Sequence, residues 1–336
     1  MAQPSGPFLF SAYSFTGPVR FAQQKKPPMS ASPVHIQISN IPLGIGYILM
    51  AVSLFGVMDA LVKWLAASYP TVQIMFFRSL FALPPILLMV WRGAGGRLDN
   101  ALVMLRTRQP AGHALRSVFG CGAMLLFFYS YKFLPLAEVT AIAFAAPIFI
   151  ACLSVWLLGE RVGLHRWSAI VVGFVGMLVI VRPGAGLLES AAMIVVAATL
   201  LYALAIIQIR KLSRSEPSTT IAFWFTAFCT AMTGLALPFF WLTPDLTDLL
   251  LLIAVGLIGG AAQLCMTQAY GLAPASVVAP FDYVHLLWAV AIGWYVWGDF
   301  PDLVTWIGSA IVIASGLYIL WRETVKRAPV PPIVTE

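Results

Sequence analysis

The sequence predicts an all-α polytopic membrane protein, ten transmembrane helices arranged as two inverted five-helix repeats. Three observations carry this: too few charges to cover a water-soluble surface, ten long apolar runs, and a second half that repeats the first. Of 336 residues, 60% are hydrophobic and only 10% charged, and the mean hydropathy is +0.90. A soluble domain carries roughly a quarter charged residues. Lipid must therefore be the solvent for most of this surface.

A spanning helix needs roughly 20 mostly apolar residues. Such runs fall at 43–65, 71–91, 113–132, 136–158, 166–181, 187–209, 218–241, 248–271, 275–297 and 303–321. Turn signals separate them, among them Tyr69-Pro70, Leu134-Pro135, Arg182-Pro183-Gly184 and Ala273-Pro274. Fifteen of the 20 Lys and Arg lie in the tails and even-numbered connections, and only Lys132 and Arg182 lie in odd-numbered ones. The positive-inside rule then places both termini and the even connections in the cytoplasm. Lys63, Arg78 and Arg116 fall within spans.

Residues 1–40 read as a disordered cytoplasmic tail, because Pro27, Pro28 and Pro33 oppose a helix. The tail lacks the basic, apolar and small-residue order of a secretory signal. Met29 is an alternative start, which would make residues 1–28 incidental. Residues 324–336 form the C-terminal tail. Net charge +7 does not indicate a nucleic-acid partner, since the basic residues are dispersed over short connections. Cys121, Cys152, Cys229 and Cys265 sit in apolar segments without CxxC spacing and are expected to be reduced thiols.

The repeat divides the chain at residues 41–183 and 184–323. A shift of 139 places Tyr131 on Tyr270, Pro135 on Pro274, Gly159 on Gly298 and Trp167 on Trp306. Earlier in each half, a shift of 147 places Lys63 on Arg210, Pro70 on Pro217 and Phe76 on Phe223. Five helices per half reverse the second half relative to the first. Inverted repeats of this kind enclose a site near the bilayer midplane and expose it alternately to each side. That points to a transporter. No GxxxxGK[ST] loop indicates an ATPase, and the scattered His35, His113, His165 and His285 form no HExxH helix, so neither enzyme chemistry nor a metal or cofactor is expected.

Several segments together resemble the drug/metabolite transporter superfamily, specifically its EamA-type members. They are Phe76-Phe77-Arg78-Ser79-Leu80, Leu134-Pro135-Leu136-Ala137-Glu138, Gly159-Glu160-Arg161, Ala279-Pro280-Phe281-Asp282-Tyr283 and Gly316-Leu317-Tyr318 with Trp321-Arg322-Glu323. The resemblance runs from about Gly44 to Glu323. It implies ten helices, two EamA repeats and movement of small metabolites across the inner membrane. The second- and fourth-span segments are most similar to carriers for riboflavin and S-adenosylmethionine, with amino-acid or amine exporters as the alternative. Two positions depart from the family's pattern. Asp299 stands where Glu is usual, and His285 stands where a small or hydroxyl residue is expected.

Ionisable groups inside spans are functional candidates, because each costs several kcal/mol without a cavity or partner. Asp59 and Lys63 share a helical face. Arg78, or Lys63, is expected either to meet an anionic substrate group or to lock helices in an ion pair with Asp59. Asp282 and His285, three apart, are candidates for proton coupling, since a carboxylate beside an imidazole titrates near neutrality. Their counterparts at a shift of 139 are Ala143 and Ala146. Tyr129, Phe144, Tyr202, Tyr283 and Trp288 are candidates to stack on a planar substrate, although belts and core packing explain most aromatic residues. Glu138, near a span mouth, either snorkels or draws in cations. Gln263 is expected to bridge helices, and Gly256 with Gly260 to pack closely.

Overall fold

The structure, a computed structural model, describes residues 41–158, 164–182, 187–213, 215–272 and 279–326, and these contain helices and no strand. The helices are α1 (Ile41–Ala66), α2 (Thr71–Gly93), α3 (Leu98–Met104), α4 (Pro110–Ser130), α5 (Leu136–Ala143) and α6 (Ala146–Leu158). They continue as α7 (Leu164–Val181), α8 (Leu187–Leu212), α9 (Ser218–Phe240) and α10 (Leu246–Leu272). A 3-10 turn (Ala279–Tyr283) leads into α11 (Val284–Trp297), and α12 (Leu303–Lys326) closes the bundle. Among the described residues, seven segments are long and apolar enough to cross a membrane, with shorter apolar stretches at Trp167–Val181 and Leu303–Ile319.

Proline sets many of the starts. Pro70, Pro135 and Pro217 precede α2, α5 and α9, and Pro110 opens α4, where its missing N–H costs nothing. Gly298, at φ +73°, ends α11 in the left-handed conformation that favours glycine. Pro84, Pro85 and Pro238 lie inside helices. Neighbouring helices tolerate this in a membrane protein by satisfying the freed carbonyls.

Two expected spans are not continuous. The run 136–158 breaks between Ala143 and Ala146, where backbone bonds shorten to Ala145 N to Ile142 O and Ile148 N to Ala145 O, both 3.0 Å. Pro147 explains this, since it has no N–H and its ring clashes with the carbonyl four residues back. The described part of the run 275–297 likewise begins as a 3-10 turn before α11. A further short helix, α3, lies where the sequence indicated only a connection.

Small residues let the helices approach. A Cβ on Gly256 would sit 2.7 Å from the Phe77 carbonyl of α2, and one on Gly260 would sit 3.1 Å from the Ala82 Cα. That is the close packing expected of this pair. In the contact between α7 and α12, a Cβ on Gly176 would lie 3.1 Å from the Gly308 carbonyl, and Ser315 Oγ donates to the Ala169 carbonyl at 2.6 Å. Apolar side chains such as Trp156, Leu235, Phe239 and Tyr295 are 80–90% exposed. That is an outer surface suited to lipid.

One expectation is corrected. Cys121 of α4 and Cys229 of α9 form a disulfide, and Cys152 and Cys265 remain free thiols. The packing of α4 on α9 brings the two Cα atoms to 6.0 Å, within the usual span of a disulfide. Sequence spacing could not reveal that approach.

Candidate functional site

A small cleft, with a cavity volume of about 30 Å³, opens between α2, α4, α9 and α10. Its wall includes Arg78 and Ile86 of α2, Arg116 of α4, Phe225 and Thr226 of α9, and Gln263 of α10. No residue lining it is acidic. Arg116 stacks its guanidinium on Phe225, with Cζ 3.6 Å from the ring centroid, a cation–π contact. Arg116 Nε and Nη1 and Arg78 Nε are buried without a hydrogen-bond partner.

Two glycines lie against these groups. A Cβ at Gly120 would lie 2.7 Å from both Arg116 Nη1 and Phe225, and one at Gly259 would lie 2.8 Å from Met58 Sδ and 3.6 Å from Arg78 Nε. A shift of 139 carries Gly120 onto Gly259, so equivalent glycines line the cleft in each half, Gly120 leaving space for the Arg116 guanidinium and Gly259 for Met58 beside Arg78.

The other charges sort differently from the sequence reading. Asp59 pairs with neither Arg78 nor Lys63. Its carboxylate lies 3.3 Å from His285 Nε2, an ion pair when the imidazole is protonated, though the angle falls short of a hydrogen bond. The Tyr131 hydroxyl also reaches Asp59, and Arg78 feels Asp59 only at longer range. Lys63, one turn along α1, turns instead to Asp299 at 2.7 Å and lies over the Trp297 ring at 4.8 Å. The packing of α1 against α11 decides both partners, through the close seating of Trp288 on Gly56.

Asp282 and His285 lie on different elements, the 3-10 turn and α11, and their surroundings differ. Asp282 acts electrostatically on Tyr202 and Tyr283, whereas His285 faces Asp59. Tyr202 of α8 also interacts with Arg116, which places it beside the cleft. Phe144 and Tyr283 meet edge to face at 4.8 Å, at the α5–α6 break and the end of the 3-10 turn. Tyr129 is exposed and stands edge-on to Phe133 at 5.1 Å.

The odd-numbered connections share a network. Arg182 Nη2 donates to both Asp302 carboxylate oxygens, and Asp302 Oδ1 also accepts from the Thr305 N–H. The guanidinium bond, helped by that N–H, holds the Asp302 carboxyl down at about 2. Tyr69 donates to Asp248 at 2.7 Å, and Gln73 exchanges two hydrogen bonds with the Leu242 backbone. Glu138 lies within the field of Arg182, Asp302, Asp299 and Lys63. Across the even connections, Glu216 is buried, which would push its carboxyl up. Bonds from the Arg108 N–H at 2.8 Å and the Thr107 hydroxyl at 2.9 Å win, and its pKa is lowered.

Sequence reasoning named Arg78, Lys63, Asp59 and His285 but missed Arg116, Phe225 and the place of Gln263. The signal for Arg116 was available, since an arginine inside an apolar span requires a partner or a cavity.

The signature of the EamA-like transporter family matches residues 42–182 and again 189–321. The chain belongs to the EamA-like transporter family. It is thus a multi-pass membrane protein of a family of transporters, not enzymes. It is 28% identical over 288 residues to an S-adenosylmethionine uptake transporter of Rickettsia bellii, covering 85% of this chain and 96% of that one. It is 28% identical over 302 residues to a riboflavin transporter of Rhizobium johnstonii, covering 88% and 96%. A pseudopaline exporter of Pseudomonas aeruginosa is 29% identical over 266 residues, covering 78% and 90%. A solved crystal structure superposes with a TM-score of 0.57 at 17% identity, over 85% of this chain and 98% of its own, a likeness of fold alone.

Proposed function

We propose that this protein is a secondary transporter of the inner membrane that moves a small metabolite by alternating access. Its ten spans form two inverted five-helix repeats, and both termini are cytoplasmic. The observation that carries the reading is a charged cleft walled by both halves: α2 and α4 from the first, α9 and α10 from the second.

Several features support the inverted repeat. A shift of 147 carries Thr71–Gly93 onto Ser218–Phe240, both ends coinciding, and a shift of 139 carries the start of α7 onto that of α12. The same shift of 139 exchanges the Gly176–Gly308 contact for the Ser315–Ala169 contact. Such reciprocity belongs to a two-fold relation. Phe144 and Tyr283, equivalent by that shift, meet each other, as residues near such an axis do. The broken α5–α6 segment and the 3-10 turn before α11 fit the discontinuous helices that build midplane sites.

The cargo is a heterocyclic nutrient of the class named for the relatives, riboflavin or S-adenosylmethionine, taken up with a proton handled by Asp59 and His285. A second reading, export of amino-acid or amine metabolites, is favoured by the likeness to the pseudopaline exporter. The test is a panel of radiolabelled substrates in proteoliposomes, with and without a proton gradient. Gradient-stimulated accumulation of a heterocycle is expected. Movement of none of the panel would overturn the transporter reading.

A further inference from the structure

We infer that Arg78 and Arg116 form a clamp for an oxyanion, so that the group of the cargo held in the cleft is a carboxylate. The inference rests on the transporter reading and narrows it.

Two guanidiniums in one cleft repel each other, and burying a charge without a partner is costly. At least three of their nitrogens, Arg78 Nε and Arg116 Nε and Nη1, are buried and unbonded. No acidic side chain lines the cleft, and no carboxylate among the described residues comes within 4.0 Å of either guanidinium. The remaining polar groups of the wall, Thr226 and Gln263, are neutral. Packing has nevertheless been arranged around one of the arginines. Gly120 leaves Arg116 the space that a methyl group would take, and Phe225 supplies one face for Arg116.

The repeat sharpens the point. The shift of 147 pairs Arg78 with Phe225, and the shift of 139 pairs Arg116 with Val255. Neither arginine has a charged counterpart in the other half, so neither serves a scaffold that the symmetry repeats. Donors without acceptors, facing an open cleft, are what planar two-oxygen recognition requires. A carboxylate entering the cleft would accept from both guanidiniums. S-adenosylmethionine carries such a group; riboflavin does not.

The test measures binding to the purified full chain in detergent, by quenching of tryptophan fluorescence. The probes are S-adenosylmethionine, its decarboxylated analogue, L-glutamate, citrate, riboflavin and riboflavin 5′-phosphate. S-adenosylmethionine should bind about tenfold or more tighter than the decarboxylated analogue, in line with charge-assisted bonding. That ratio should fall towards one in Arg78→Gln and Arg116→Gln, while Arg116→Lys, which keeps the charge without the fork, should retain part of it. Because the readout is a ratio, a poorly folding variant still reports it. A ratio near one in the wild type, or one unchanged in both glutamine variants, overturns the clamp, as does failure of all three carboxylates to bind. A preference confined to the 5′-phosphate over riboflavin would overturn the carboxylate assignment and leave a phosphate site. Transport in proteoliposomes is scored separately, so a carrier that moves substrate without carboxylate preference loses the clamp but keeps its function.

Discussion

The charges at the odd-connection end of the bundle and those in its middle obey opposite rules. At the end, Lys63 has Asp299 and Arg182 has Asp302, so both cations held between helices there are matched by a carboxylate, while Lys132 is exposed to solvent. In the middle, Arg78 and Arg116 face a cleft whose wall contains no acid. Matched charges across two halves act as a latch, holding the ends together at little net gain. Unmatched charges in a cavity are costly unless something else supplies the match. The difference separates residues that close the protein from residues that hold its cargo, and each prediction below tests one side of it.

The largest effect is expected from the middle. Arg78→Gln should fold but lower substrate uptake about tenfold or more, the loss of one or more charge-assisted hydrogen bonds. Read by counterflow exchange, which Asp59→Asn alone should preserve, the defect should not be restored by adding Asp59→Asn, because Asp59 contacts His285 and not Arg78. If the double variant recovers, Arg78 is merely the counter-ion of Asp59 and the contrast between end and middle collapses.

A second large effect concerns coupling. In proteoliposomes, Asp59→Asn and His285→Gln should each preserve counterflow exchange and abolish accumulation driven by a proton gradient. Asp282→Asn should leave the pH dependence of accumulation in place. The reverse pattern, with loss in Asp282→Asn and none in Asp59→Asn, would return the proton site to the 3-10 turn.

These contrasts explain what was legible in the sequence. The helices were, because apolar runs and prolines act locally: Pro70, Pro135 and Pro217 mark starts that the structure keeps. The α5–α6 break was not read, although Pro147 was in view, because the run around it is apolar throughout. Asp59, Lys63, Arg78 and His285 were singled out as ionisable groups in apolar surroundings, a one-dimensional property. Their partners were not, since Lys63 and Asp299 are 236 residues apart and meet only when the two halves pack. Asp299 and His285 had been marked as departures from a family pattern, and each proves to be the partner of a charge on α1. The same reason hid the Cys121–Cys229 bond, whose two residues are 108 apart.

A smaller effect belongs to the latch. Lys63 is 11% exposed and Asp299 32%, so their pair is better shielded than an ordinary surface bridge. A double-mutant cycle of Lys63→Gln and Asp299→Asn, read by thermal unfolding in detergent, should give a coupling of about 1 kcal/mol. Asp299→Glu, the residue usual in the family, should keep most of it. Zero coupling would mean that the latch contributes nothing and that Lys63 is available to a substrate.

The smallest effect is the acid sensitivity of the second latch. Asp302 is held at about 2 in the folded protein against an ordinary 3.8. A depressed carboxyl contributes stability that is present above its unfolded value and lost as the pH falls through its folded value. The contribution of Asp302 should therefore be whole above about pH 4 and gone near pH 2. The two side chains are 37% and 49% exposed, so solvent screens the pair, and the effect should be about 0.5 kcal/mol or less. Unfolding midpoints of the wild type and Asp302→Asn should differ slightly at pH 5, and the gap should close as the pH is lowered towards 2. Added salt should narrow it as well. A gap that widens on acidification would show that Asp302 takes up its proton more readily when folded than when unfolded, and that Arg182 is not what holds it.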